Sequence, residues 1–216
     1  MPTPRLLLIP LLLVAAAIPA CNIAVPIAYA IQGPPKVDAV FEPDSKRTTV
    51  ILIDDPSSKI PRRELRLSAG QIADETLMKA KVFDSGKLVS SKSALNAARG
   101  SDQGPKLSVV DIGRRVGAEV IVYAEVTDWT LFSDGQGISP KAAVSVRVFD
   151  TLSNTRVFPE EGGYPLIASL PPEAEAKQSN KAVLERALAK ELGLTIARSL
   201  YTHDRPQLQN SRPTLN

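Results

Sequence analysis

The stretch Val110-Asp111-Ile112-Gly113-Arg114-Arg115-Val116-Gly117-Ala118-Glu119-Val120-Ile121-Val122-Tyr123-Ala124-Glu125-Val126 passes from one periodicity to another with no loop between. Val109, Ile112 and Val116 recur at helical spacing, which predicts a helix over Ser108–Val116. Gly117 suits the left-handed position that ends it. Ala118–Trp129 then reads as a strand. It is apolar on both faces at its start, which predicts a central place in a sheet, and it alternates before leaving at Asp128-Trp129. A short helix feeding straight into a buried strand is the signature of an α/β domain.

Working outward toward the C-terminus, Ser133-Asp134-Gly135-Gln136-Gly137 reads as a loop. Ala143–Asp150 alternates, with Val144, Val146 and Val148 on one side. Thr151–Asn154 turns the chain and Arg156-Val157-Phe158 returns, a hairpin pattern. Gly162–Ser169 adds a possible short strand through Tyr164, Leu166 and Ile167, and Pro171-Pro172 interrupts. Ser179 or Asn180 caps a last helix reaching Tyr201, with Leu184, Leu188, Leu192, Ile196 and Leu200 in one row and Gly193 a weak spot.

Toward the N-terminus, Lys87–Ser90 reads as a short strand, Ser93–Arg99 as a short helix and Gly100–Lys106 as a loop. Pro61–Lys79 is a helix with Leu65, Ala69, Ile72, Ala73 and Leu77 inward, weakened by Gly70. Thr48–Ile53 is a buried strand stopped by Asp54-Asp55-Pro56. Val37, Ala39 and Phe41 alternate as an edge strand would. The expected fold class is α/β: one sandwich of two or three layers with a mixed sheet, in the order β-α-β-α-α-β-β-β-α, spanning 47–202. The tail, 203–216, has two prolines and almost no core residues, and is expected to be disordered.

Hydrophobic residues make up 44% of the 216 and charged residues 23%, enough apolar material for a packed core and against wholesale disorder. The net charge of +3 is too small for a nucleic-acid-binding domain, so no nucleic-acid partner is expected. One Cys excludes an intramolecular disulfide and a thiol redox pair. One His excludes multi-histidine metal sites and argues against a triad. No metal and no cofactor are expected.

Met1 and Arg5 precede an uncharged run, Leu6–Ala17, and then Ile18-Pro19-Ala20-Cys21. A short apolar run ending in small residues before a Cys resembles the lipobox of bacterial lipoprotein signal peptides. That resemblance implies a signal peptide over 1–20, removed on export, diacylglyceryl attachment at Cys21, and a lipid-anchored linker over 21–46. Ile18 and Ala20 fit the pattern, and Pro19 departs from it. Two other readings of the segment stay open: ordinary cleavage after Ala28-Tyr29-Ala30, or retention of Leu6–Ile31 as one membrane span despite Pro10, Pro19 and Pro26. All three place the folded body outside the cytoplasm, where no ATP is available to a kinase or ATPase. Lipidation at Cys21 implies a membrane-anchored domain facing the periplasm.

The helix-to-strand stretch also resembles a segment shared by an envelope family: curli-assembly lipoproteins of the CsgG type, penicillin-binding-protein activators of the LpoB type, and the N-terminal domain of TolB. Val144–Thr151 followed by Asn154–Val157 is similar to that family's hairpin. The likeness covers roughly Thr48–Tyr201 as a pattern. It implies a small α/β domain whose last helix packs back on the sheet, a TolB-N-terminal-like fold. Ala124 stands where the family has Gly. No long pair of amphipathic strands is legible, so the curli-type pore is not implied.

Asp54-Asp55 ends the first strand, where α/β sheets place ligands, and paired carboxylates suit a divalent ion; a strand-ending turn before Pro56 is the plainer reading. Arg62-Arg63 and Arg114-Arg115 suit phosphates or lipid headgroups, or simply solvated helix faces. Gly135-Gln136-Gly137 has no helix after it and cannot be a nucleotide loop. His203 lies in the tail, and Ser68 and Ser145 lack a nucleophile-elbow context. Trp129, Leu131 and Phe132 are either core or an apolar patch for a partner, and Trp129 and Phe132 are taken as the candidate partner-binding residues. The resulting expectation is a non-enzymatic, lipid-anchored envelope adaptor or assembly lipoprotein, with an envelope protein as partner and no indication of oligomeric state. The alternative is an envelope ligand-binding or hydrolytic domain using the carboxylates near Asp54.

Overall fold

The computed structural model describes residues 35–99, 107–133, 137–170 and 180–205. Cys21, the expected signal segment, most of the linker, Gly135 and Gln136, Pro171-Pro172 and 206–216 lie outside them. Along the chain the elements are β1 (Lys36–Val37), β2 (Thr49–Asp54), α1 (Arg63–Lys79), β3 (Leu88–Val89), α2 (Ser91–Arg99), α3 (Val109–Arg115), β4 (Val120–Ser133), β5 (Gly137–Asp150), β6 (Thr155–Phe158), β7 (Tyr164–Ser169), α4 (Lys181–Arg198) and β8 (His203–Asp204). They fall into two units. One holds Asp38–Thr202; the other holds the flanking segments, where β1 and β8 pair antiparallel. His203-Asp204, placed in the tail by the sequence reading, therefore belongs to a strand pair, and the edge strand foreseen around Val37 pairs with it.

The main sheet runs β3-β2-β4-β5-β6, with β7 also on β5. β2 is parallel to β3 and β4, and the pairs β4–β5, β5–β6 and β5–β7 are antiparallel. The sheet is mixed, and β4 is central, flanked by β2 and β5. One face carries Ile51, Ile53, Val122, Ala124, Val144 and Val146, buried together with Leu65 and Leu77 of α1 and Leu188 and Leu192 of α4. The other carries Val50, Leu52, Ile121 and Tyr123, buried with Ala94 of α2 and Ile112 of α3. Three layers thus stack over β2 and the first half of β4. Along β5 the second face is only half-buried at Ala143, Ser145 and Arg147.

The expected order needs corrections. β7 is a full strand of the sheet, with Ala142 opposite Ala168 and Val146 opposite Tyr164. β4 and β5 are 14 residues each, so a long pair of strands does exist. Two register shifts, between Val126 and Asp128 and between Thr130 and Phe132, break the two-residue alternation that a sequence reading follows. The apolar side of this pair, Val126, Leu131, Ala142 and Val144, is buried in the domain's own core and does not form an outward lipid-facing band.

Local chemistry explains the boundaries. Ser108 caps α3 by accepting from Asp111 N at 3.1 Å, and its hydroxyl donates to Asp111 Oδ2 at 2.6 Å. Those bonds, with Arg114 nearby, hold the Asp111 carboxyl below its ordinary range. Asn180 caps α4 by accepting from Ala182 N. Gly117 has φ +75°, the left-handed C-terminal position. Gly193 is no weak spot in context: a Cβ there would run into the Ala69 carbonyl and Ile72, so its missing side chain lets α4 lie against α1.

Candidate functional site

Parallel pairing sets Asp54 opposite Glu125 and Leu52 opposite Tyr123, and antiparallel pairing sets Tyr123 opposite Arg147. Because side chains alternate along a strand, Asp54, Tyr123, Glu125 and Arg147 all fall on one face, at the C-terminal end of β2. The Tyr123 hydroxyl donates to Asp54 Oδ2 at 3.0 Å, and Asp54 Oδ1 accepts from Asp55 N at 2.9 Å. Arg66 on α1 brings a guanidinium nitrogen to 3.6 Å from Asp54 Oδ1. Arg147 donates to Glu125 Oε2 and lies over the Tyr123 ring, 5.5 Å from its centroid. Burial, the Asp54 charge and the bond to Asp54 together raise the Tyr123 pKa, so the phenol stays protonated as a donor.

Asp55 is also engaged. Its Oδ1 accepts from Lys59 N at 2.9 Å and its Oδ2 from Ile60 N at 2.8 Å, which wraps the 55–60 loop around the carboxylate. Ser58 in this loop has φ +52°, left-handed for a non-glycine residue. Both acids at the strand end thus hold structure. Among the described residues, no group of three or more His, Cys, Asp or Glu side chains stands where it could bind a metal ion. Beside the loop, Asp55, Ser58, Ile60, Arg62, Arg63 and Arg66 line an open cavity of about 180 Å³. Arg62 donates to Glu185 Oε2 at 2.6 Å and Arg63 to Asn96 Oδ1 at 3.2 Å.

The two partner-binding candidates separate. Trp129 lies half-buried against the main core, opposite Ala142 on β5, and its Nε1 is buried with no acceptor among the described residues. Phe132, three residues on, is 57% exposed near the end of β4. Leu131 between them is buried. Ile167 on β7, opposite Ala143, is 58% exposed. Arg114 belongs to the scaffold, its Nε donating to the Thr151 carbonyl at 2.7 Å, while Arg115 is exposed. Ser145 sits against Gly163, where a Cβ would meet its hydroxyl. Ser68 is half-buried on α1, and His203 is in β8.

Sequence reasoning found Asp54 and Arg62-Arg63 but missed Tyr123, Glu125, Arg66 and Arg147. A signal was present for β4: two polar side chains, Tyr123 and Glu125, stand two apart within an otherwise apolar run. Their link to Asp54 depends on the pairing of β2 with β4, which no local pattern encodes.

No family profile and no curated protein matches the chain. Several solved structures are similar. The PelC dodecamer protein from Paraburkholderia phytofirmans has a TM-score of 0.42 at 14% identity, covering 77% of this chain and 96% of that one. Lipoprotein GNA1162 from Neisseria meningitidis has a TM-score of 0.38 at 9% identity, covering 66% and 93%. The LpoB C-terminal domain from Salmonella enterica has a TM-score of 0.29 at 16% identity, covering 60% and 87%. Bacterial lipoproteins are thus among the structures this chain is similar to. Each likeness is one of chain path alone.

Proposed function

We propose that the chain is a lipid-anchored, non-enzymatic adaptor or assembly subunit of the bacterial cell envelope, acting in a secretion or cell-wall complex. The observation that carries this reading is the long β4–β5 hairpin, whose inner side is core and whose end leaves Phe132 exposed. A large aromatic side chain held in water on a paired strand is the kind of anchor residue that protein interfaces bury. The apolar run ending at Cys21 supports an anchor, and the helix-to-strand segment supports an envelope family. The engagement of Asp54 by Tyr123 and of both Asp55 oxygens by backbone amides argues against the hydrolytic alternative, because neither acid has a free oxygen aimed at a substrate.

A photocrosslinking phenylalanine analogue at position 132, introduced into the otherwise wild-type chain in cells, tests the reading. The expected result is one discrete adduct that survives washing of the membranes and weakens when Cys21 is changed to Ala. Absence of an adduct at Phe132, or an equal adduct from the exposed turn residue Leu152, would count against an interface at the hairpin.

A further inference from the structure

Three arginines converge on the cavity beside the 55–60 loop, and the acids around them are already committed. Both Asp55 oxygens accept backbone amides, and Glu185 holds Arg62. Asp54 accepts from Tyr123 and from its neighbour's amide, and it pairs with Arg66 at 3.6 Å, an ion pair longer than a good hydrogen bond. Arg63 has a neutral partner, Asn96. Its Nε is shielded from solvent and has no acceptor among the described residues. A guanidinium carries five N–H donors in a fixed fork, so Arg63, and Arg66 beyond its pairing with Asp54, retain N–H donors that no described hydrogen bond uses. The cavity also opens at the start of the 17-residue helix α1, whose N-cap residue, Arg62, supplies no side-chain acceptor to the first turn. The positive end of the helix dipole adds to the same field.

We propose that this cavity binds a phosphate-type oxyanion, held by the forks of Arg63 and Arg66. The chemistry is that of charge-assisted, bidentate guanidinium–phosphate bonding. It stands apart from the adaptor reading, since it uses no residue of the hairpin. The phosphate can belong to a lipid headgroup or to a soluble phosphorylated ligand.

The test uses the full-length chain in nonionic detergent. Thermal unfolding is followed in sodium phosphate against sodium chloride at equal ionic strength. The expected result is a saturable rise in melting temperature with phosphate, with apparent affinity weakened by about tenfold or more in Arg63→Gln and unchanged in the control Arg115→Gln. Phenylglyoxal labelling read by mass spectrometry gives a second readout that needs no variant: phosphate should protect Arg63 and leave Arg115 labelled. Protection by vesicles of phosphatidylglycerol and phosphatidylcholine, and not by phosphatidylcholine alone, identifies a headgroup. Protection by inorganic phosphate alone identifies a soluble ligand. A melting response no larger than in chloride, together with unprotected Arg63 under every condition, overturns the proposal.

Discussion

Asp74 is a carboxylic acid buried at 6% exposure between α1 and α2, where it accepts from the Ser91 amide at 2.8 Å and from the Ser91 hydroxyl. Burial is the dominant effect and raises its pKa to about 6, against the ordinary 3.8, with the Ser91 bonds pulling the other way. Between those two values the folded chain binds more protons than the unfolded one. The contribution of this group is therefore fully present below about pH 4 and is lost as pH rises through 6, by on the order of 3 kcal/mol. Asp150 works in the opposite sense. Its carboxyl is lowered by the Ser153 amide, Arg47 and the Leu152 amide, so its contribution is present above the ordinary carboxylate range and fades as pH falls. Subtracting the urea-unfolding curve of Asp74→Asn from that of the wild type isolates Asp74. The difference should change between pH 4 and 6 and be flat above 7; a flat difference throughout would show that Asp74 does not titrate in that window. Asp74 was not legible beforehand, because a carboxylate on the apolar side of a helix is intelligible only once Ser91 arrives from another element.

Elements that carry their own periodicity were legible. The row Leu184, Leu188, Leu192, Ile196 and Leu200 marked α4, and every one of these residues is buried. The turn at Thr151–Asn154 was equally plain: Asp150 Oδ1 accepts from the amides of Leu152 and Ser153, and Asn154 takes φ +60°. What escaped was decided between elements. The strand legible as Ala143–Asp150 extends back to Gly137 and includes Pro140, whose carbonyl accepts from Leu170 N. Gly193 looked like a defect and is a contact. Gly193→Ala should destabilise the domain by about 1–3 kcal/mol in urea unfolding, since the added methyl overpacks the α1–α4 seam. On β4 the two aromatics should part: Trp129→Ala costs about 2 kcal/mol or more through lost packing, and Phe132→Ala stays within about 0.5 kcal/mol. Equal losses in melting temperature for the two would contradict the division between core and surface.

For the molecule as a whole, the class of fold was readable and the assembly of the candidate site was not. Alternating strands and helices followed by a hairpin implied a mixed sheet, and the sheet is mixed. The site at the end of β2 depends on a parallel β2–β4 pairing between residues some 70 positions apart, which composition and spacing do not specify. Localisation is a property of the complete chain. Cys21→Ala should abolish metabolic labelling of the protein with palmitate and leave the melting temperature unchanged, because position 21 lies outside the Asp38–Thr202 unit. A wild-type chain that takes up no palmitate would favour ordinary cleavage or the retained span.

In the smaller unit, Lys36 lies opposite Asp204 and Val37 opposite His203, and the Arg205 amide donates to the Pro35 carbonyl at 2.8 Å. Positions 35 and 205 are therefore adjacent, with the chain entering and leaving at one place. A short linker between 205 and 35 would join the two ends of this unit, and the exposed residues Leu152–Asn154, with Leu152 70% in solvent, offer a place for new ends. Such a circular permutant keeps each pairing of the sheet except the short link it cuts, and moves any tether from one end of the molecule to another.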